Sequence, residues 1–223
     1  PKSELGNFSV DDIYLRGRID RLDQLSSDYL GAIDYKSSAH SFKLQDAYDG
    51  LSLQFMTYLD VIKEAFPNQK IWGALYLQFK NQPINLSEIN HLSEIAGLLK
   101  ESMRYDGLVL EEAADQIKAI ENITVKKSNI YNQEEFEQLL KLNENHYQHA
   151  GQRLKSGQIA INPIMKRSEG IDQTGNVRGC RYCPLKSICR FEANVHMNEH
   201  SREIGQKSQA EILAELKGEG RNE

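Results

Sequence analysis

Residues 17–38 read GRIDRLDQLSSDYLGAIDYKSS, and how this stretch pairs with itself decides the fold. Two extended runs, 13–25 and 29–36, flank Ser26, Ser27 and Asp28, residue types that favour a turn. Successive side chains on a strand point to opposite faces, so Asp34 and Lys36 share one face while Ile33 and Tyr35 take the other. If the runs pair as a hairpin, Asp20 lies near Asp34, and two carboxylates gather beside a lysine. Such carboxylates repel each other unless a proton or a cation sits between them. Oxygen donors of this kind suit Mg²⁺ or Mn²⁺ better than softer metals. Taken alone, Asp34 and Lys36 read more readily as solvated strand-end charges that discourage edge pairing than as a site.

Working outward, residues 46–66 read as one helix. Tyr48, Leu51, Phe55, Leu59 and Ile62 recur at three- and four-residue steps and make a single buried stripe. Gln54 and Tyr58 are four apart and project from one flank; without other context the pair is a buried tyrosine with a polar neighbour. Pro67 and Asn68 end the helix, and 70–80, KIWGALYLQFK, reads as a strand buried on both faces. Two strands, a crossover helix and a further strand predict an α/β fold with a mixed sheet wrapped by helices.

Asp20, Asp34-Tyr35-Lys36 and a following helix with Gln54 and Tyr58 together resemble the PD-(D/E)xK nucleases. The resemblance is to the branch found in bacterial recombination helicase–nucleases. Signatures there look like G-x-x-D-R-x-D, I-D-Y-K-[ST] and Q-x-x-x-Y. They stand here as Gly17-Arg18-Ile19-Asp20-Arg21-Leu22-Asp23, Ile33-Asp34-Tyr35-Lys36-Ser37 and Gln54-Phe55-Met56-Thr57-Tyr58. One such motif is a common pattern, whereas three in order at this spacing are specific. Residues 85–130, taken with GALYLQF at 73–79, also look like the B subunit (AddB/RexB) of the AddAB/RexAB type of helicase–nuclease.

The resemblance implies a restriction-endonuclease-like core, a mixed central sheet flanked by helices. It implies a catalytic set of Asp20, Asp34, Lys36, Gln54 and Tyr58. Asp20 and Asp34, with the backbone carbonyl of Tyr35, would hold Mg²⁺ or Mn²⁺; Lys36 would orient water or stabilise negative charge; Gln54 and Tyr58 would place the DNA strand. An upstream histidine often joins the metal shell in that family, and none precedes His40 here. The implied activity is that of a single-strand DNA exonuclease, 5′ to 3′, in a heterodimeric ATP-dependent helicase–nuclease. That assembly would process double-strand breaks for homologous recombination, with an AddA/RexA-type partner. Two other readings stay open: a Cas4-like iron–sulfur nuclease of CRISPR adaptation, and a non-catalytic module that binds DNA ends.

Composition is compatible with all of these. The 223 residues carry 39% hydrophobic and 26% charged side chains, enough for one well-buried domain with an appendage. No apolar run is long enough to span a membrane, the first residues lack a secretory pattern, and a cytoplasmic location is the default. The start at Pro1 suggests an excised piece of a longer protein. A net charge of −5 does not point to nucleic acid, and does not exclude a local basic groove either.

Elsewhere, residues 1–12 are expected as a lead-in loop. Helices are expected over 92–103 and 111–120 around a turn at Tyr105-Asp106-Gly107, with 108–112 a possible short strand. A long helix over 133–155 starts at Asn132 and Glu135 and stops at Gly157. Its inward stripe is Phe136, Leu139, Leu140, Tyr147, Ala150 and Leu154, with His146 and His149 as packing or surface residues. Beyond Val195 the chain reads as a solvated tail with a short helix over 209–217. The expected organisation is a nuclease core over 1–160, a cysteine-rich iron–sulfur segment over 161–195 packed on it, and a polar tail over 196–223.

All the cysteines lie in CRYCPLKSICRF, residues 180–191. In a cytosolic protein the C-x₂-C-x₅-C spacing of Cys180, Cys183 and Cys189 argues for metal rather than disulfide. Three thiolates are one short of a protein-held [4Fe–4S] set. The resemblance places the fourth cysteine far upstream, outside this chain, so the cluster is expected to be absent or incomplete here. Zinc with His196 or His200 is the rival. Arg178, Arg181, Lys186 and Arg190 around the cysteines could hold DNA phosphates.

Overall fold

The computed structural model describes residues 8–10, 13–26, 28–38, 40–79, 97, 103–120, 123, 125–166, 168–193, 195, 202–205 and 207–218. Strands β1 (Phe8–Val10) and β2 (Ile13–Leu15) form a small antiparallel hairpin. The central sheet follows, with β3 (Arg21–Gln24), β4 (Tyr29–Lys36), β5 (Lys70–Phe79), β6 (Met103–Leu110) and β7 (Ile130–Tyr131) in that spatial order. Pairings alternate antiparallel, parallel, antiparallel, parallel, so the sheet is mixed. The parallel step from β4 to β5 is bridged by helices α1 (Leu44–Tyr48) and α2 (Gln54–Ala65).

The alternation read in the sequence sorts side chains onto two helical layers. Ala32, Ala74 and Tyr76 face Phe55, Met56, Leu59 and Ile62 of α2. The long helix α4 (Gln133–Lys155) adds Phe136, Leu139 and Leu140 to the same cluster. Ile33, Trp72, Leu75, Leu77 and Val109 face the other way, onto Ala113, Ala114 and Ile117 of α3 (Glu111–Lys118). With both faces covered, the centre of the sheet loses its edge-like freedom to slip register.

Two elements follow the sequence closely. Strand β5 begins at Lys70 as expected. Helix α4 starts on a reciprocal cap, Glu135 N–H donating to Asn132 Oδ1 at 2.9 Å and Asn132 N–H to Glu135 Oε2 at 3.2 Å.

Other expectations need correction. The run over 13–25 is two strands in different sheets, because Arg16, Gly17 and Arg18 are exposed and carry no apolar alternation. The lead-in contains β1. The helix expected over 46–66 is broken after Tyr48, where Gly50 at φ 75° leaves the helical region. Tyr105, Asp106 and Gly107 lie inside β6 rather than in a turn. A Cβ on Gly107 would stand 2.0 Å from the Ala74 carbonyl oxygen, so this glycine admits a close strand approach. The helix expected over 92–103 lies, apart from Gly97 and Met103, outside the described residues. Leu154 is 76% exposed and Ala150 is exposed too, because the buried face at this end of α4 runs through Asn143 and Gly151, with Gly151 close against Ile13.

The largest departure concerns the C-terminal stretch. Strand β9 (Arg202–Ile204) pairs in parallel with β8 (Ile164–Lys166), and a helix over Gln209–Leu216, here α6 following the short α5 (Lys186–Cys189), packs on the main core. Ile212 is fully buried there, with Leu213 and Leu216 against the same cluster. A solvated tail does not describe these residues. Ile212, Leu213 and Leu216 sit at helical spacing and form the apolar stripe that docks it.

Candidate active site

The pairing of β3 with β4 ends at Arg21 opposite Ile33, so residues 34–36 of β4 run on past the end of β3. Asp20, just before β3, fills part of that space. Its Oδ2 accepts the Tyr35 N–H at 3.2 Å, as a carbonyl of a longer β3 would have done. A residue's N–H and C=O point to the same edge of a strand, so the Tyr35 carbonyl faces the edge on which Asp20 sits.

Asp34 lies on the α2 face and is 3% exposed. Its Oδ1 accepts from Gln54 Nε2 at 3.0 Å and from the Tyr58 hydroxyl at 3.2 Å. Its Oδ2 stands 2.7 Å from Lys36 Nζ yet is a buried oxygen with no well-directed hydrogen bond. Lys36 Nζ donates to Gln54 Oε1 at 3.1 Å, and lies 5.2 Å from the centre of the Tyr76 ring. Gln54 Nε2 also donates to the Tyr58 hydroxyl at 2.6 Å. The amide orientation is fixed by its neighbours: an ammonium must face the amide oxygen, and a carboxylate must face the amide nitrogen. Burial and then the Asp34 charge raise the Tyr58 pKa, so this group remains a neutral donor.

The structure therefore brings Asp34, Lys36, Gln54 and Tyr58 into one hydrogen-bonded cluster, with Asp20 joined to it through the Tyr35 amide. Two carboxylates and an adjacent carbonyl are an all-oxygen donor set suited to Mg²⁺ or Mn²⁺. Asp34 Oδ2, which meets the Lys36 ammonium at 2.7 Å but lacks a well-directed hydrogen bond, is the buried oxygen with accepting capacity left for such a partner. The residues present fit a divalent cation. Among the described residues, no group of three or more His, Cys, Asp and Glu side chains converges.

Sequence reasoning missed the surroundings of this cluster. A pocket of about 410 Å³ opens beside it, between residues 15–19 and one stripe of α2 comprising Gln54, Thr57, Tyr58 and Val61. Its far wall is Tyr147 of α4, whose hydroxyl lies 2.8 Å from Thr57 Oγ1. Thr57 and Val61 could have been found from their spacing to Gln54 and Tyr58. Tyr147, about ninety residues on, carries no local signal.

The cysteine segment has a small core of its own, with Met165, Val177 and Ala193 packed against Cys180 and Phe191. Burial, then the nearby Cys183 and Cys189, raise the Cys180 pKa. These three half-buried thiols are one short of a [4Fe–4S] set and do not by themselves fit one. The zinc reading rests on His196 and His200, which lie outside the described residues. Arg178 pairs with Glu169 at 2.7 Å and Arg181 with Asp172 at 3.2 Å, so both hold the segment together rather than standing ready for phosphates. His146 is a packing residue, half-buried with Nε2 3.1 Å from the Tyr48 carbonyl, and burial lowers its pKa; His149 is exposed.

The PD-(D/E)XK nuclease superfamily model matches residues 2–190. The chain is 90% identical over 223 residues, all of its length, to the exonuclease/helicase protein RexB of Lactococcus lactis subsp. cremoris (strain MG1363), covering 20% of that protein. It is 31% identical over 209 residues, 92% of its length, to the B subunit of the ATP-dependent helicase/deoxyribonuclease of Streptococcus suis (strain 05ZYH33), covering 18% of it. The protein of the same name in Enterococcus faecalis (strain ATCC 700802 / V583) matches at 31% identity over 92% of the chain and 19% of its own length. The chain thus spans about a fifth of the length of the curated relatives it matches. A family match over most of the chain, joined to a mixed five-stranded sheet, is decisive: the chain belongs to the PD-(D/E)XK nuclease superfamily.

Proposed function

We propose that this chain is the nuclease domain of the B subunit of an ATP-dependent helicase–nuclease, where it hydrolyses DNA phosphodiesters with Asp20, Asp34, Lys36, Gln54 and Tyr58. The observation that carries this reading is Asp34. Its Oδ1 is fixed by two donors, and its buried Oδ2 faces only a lysine ammonium.

When bound by Asp20, Asp34 and the Tyr35 carbonyl, Mg²⁺ or Mn²⁺ supplies charge compensation at the phosphate and a lowered pKa for water. The protein's own part is positioning. Gln54 and Tyr58 hold Oδ1, which fixes the direction of Oδ2 without neutralising it. The Tyr35 amide does the same for Asp20. Lys36, steered by Gln54 Oε1 and by Asp34, presents its remaining N–H bonds to the site. There it orients the attacking water and stabilises negative charge building on the phosphoryl oxygens. Burial of the cluster against α2 keeps these interactions in a low-dielectric setting where each counts for more than in water.

In the parent assembly we assign it single-strand exonuclease activity, 5′ to 3′, beside a helicase partner of the AddA/RexA type during double-strand-break processing. The relatives' names, which pair helicase with exonuclease or deoxyribonuclease, support the setting. The test is Asp34→Ala in the intact complex. Degradation of one strand in Mg²⁺ should be lost while unwinding continues. Unchanged digestion of both strands would refute the assignment, and DNA binding in EDTA without any cleavage by the wild-type complex in Mg²⁺ would favour an end-binding module instead.

A further inference from the structure

The geometry points to a subsite for a single unpaired nucleotide next to the scissile phosphate, in the pocket bounded by Arg16, Arg18, Thr57, Tyr58, Val61 and Tyr147; the inference rests on the nuclease reading and names how that site takes its strand. The pocket shares Gln54 and Tyr58 with the catalytic cluster, and both of these side chains bond Asp34, so whatever fills it is one side chain away from that carboxylate. Its walls are of two kinds. Leu15, Ile19, Val61 and the rings of Tyr58 and Tyr147 offer an apolar and aromatic surface on which any base can lie, since every base has a π face. Arg16 and Arg18 stand at the rim, exposed, and neither pairs with a carboxylate among the described residues. Guanidinium groups at such a rim are suited to phosphate oxygens.

The two kinds of wall together describe a nucleotide rather than a protein side chain or a duplex. A volume of about 410 Å³ holds one unstacked base with its sugar, not a base pair. A paired strand would have to give up its partner to enter, so the pocket selects single strands by shape. Thr57 and Tyr147, bonded to each other at 2.8 Å, set the pocket's depth by tying α2 to α4.

The experiment uses the full-length protein within the intact complex, with two readouts. Fluorescence anisotropy with labelled oligothymidylate in EDTA measures binding; cleavage of the same oligonucleotides in Mg²⁺, with one abasic position walked along the strand, measures use of the subsite. Arg16→Ala with Arg18→Ala should weaken binding about tenfold and lower the salt slope by about 1.4. An abasic position should slow cleavage about tenfold at the phosphate flanking it. Val61→Phe, which fills the pocket, should remove that difference. Unchanged affinity and salt slope in the arginine variant, together with cleavage blind to the abasic position, would overturn the subsite and leave the nuclease reading standing. Absence of cleavage by the wild-type protein would sink the nuclease reading, while the binding readout would still decide whether the arginines hold the strand.

Discussion

Replacing Asp60 by Asn should remove a pH-dependent weakness from the helix that carries Gln54 and Tyr58. Asp60 is 5% exposed at the contact of α2 with α4, where its Oδ2 accepts from Asn143 Nδ2 at 2.7 Å. Burial pushes its pKa up from 3.8 to about 7, against the opposing pull of the Asn143 hydrogen bond; Glu144 adds to the rise and Lys63 opposes it. Between pH 4 and 7 the folded protein therefore holds a proton that the unfolded chain has released, and folded stability falls as pH rises through this window. A rise of about three units corresponds to about 4 kcal/mol in all, the penalty being absent below pH 4 and complete above pH 7. About 2 kcal/mol of this falls between roughly pH 5.5 and 8. Native-state hydrogen exchange of the α2 amides reads that local opening without requiring the whole protein to unfold. Wild-type protection should fall with rising pH, while Asp60→Asn should be flatter by about 2 kcal/mol over that range and better protected at its upper end. Parallel profiles for the two proteins would refute the argument, because histidines and other titrating groups are common to both and cancel in the difference.

Gln54→Ala removes the one side chain among the described residues that bonds Asp34, Lys36 and Tyr58 at once, so kcat should fall by about a hundredfold with KM changed far less, a split read in single-strand cleavage kinetics; a change in KM alone would mean that Gln54 only binds the strand. Ile212→Ala should cost about 2–5 kcal/mol of stability, measured by urea unfolding, whereas a change within about half a kcal/mol would restore the view of this stretch as a surface appendage.

What was legible in the sequence is what local periodicity controls. The alternation in β4 sorted Asp34 and Lys36 onto the α2 face and Ile33 onto the α3 face, and the capping box at Asn132 marked the start of α4. What was not legible depends on neighbours far away in the chain. Tyr105-Asp106-Gly107 has the composition of a turn, but Asp106 is held inside β6 by tertiary partners. Its Oδ1 accepts the Phe42 N–H at 2.9 Å, and its Oδ2 meets Lys126 Nζ at 2.6 Å. The stretch after Val195 is polar on average, and an average conceals the three apolar residues that dock α6.

The site divides along the same line, and the division explains why it could be anticipated at all. Asp20 and Asp34 are brought together by a hairpin, Asp34 and Lys36 by strand alternation, and Gln54 and Tyr58 by one helical turn, so each pair is set by short-range geometry. Only one long-range step is needed, the seating of α2 on β4, and the apolar stripe of Phe55, Met56, Leu59 and Ile62 drives it. Because Gln54 and Tyr58 are carried by the same turns as that stripe, burying the stripe delivers both polar groups to Asp34 with no separate folding step. The pocket beside them has no such shortcut. Arg16 and Arg18 come from the link between two sheets and Tyr147 from a helix that meets them only after α4 has packed, so the pocket's position is a result of the assembled core and is invisible to any window of sequence.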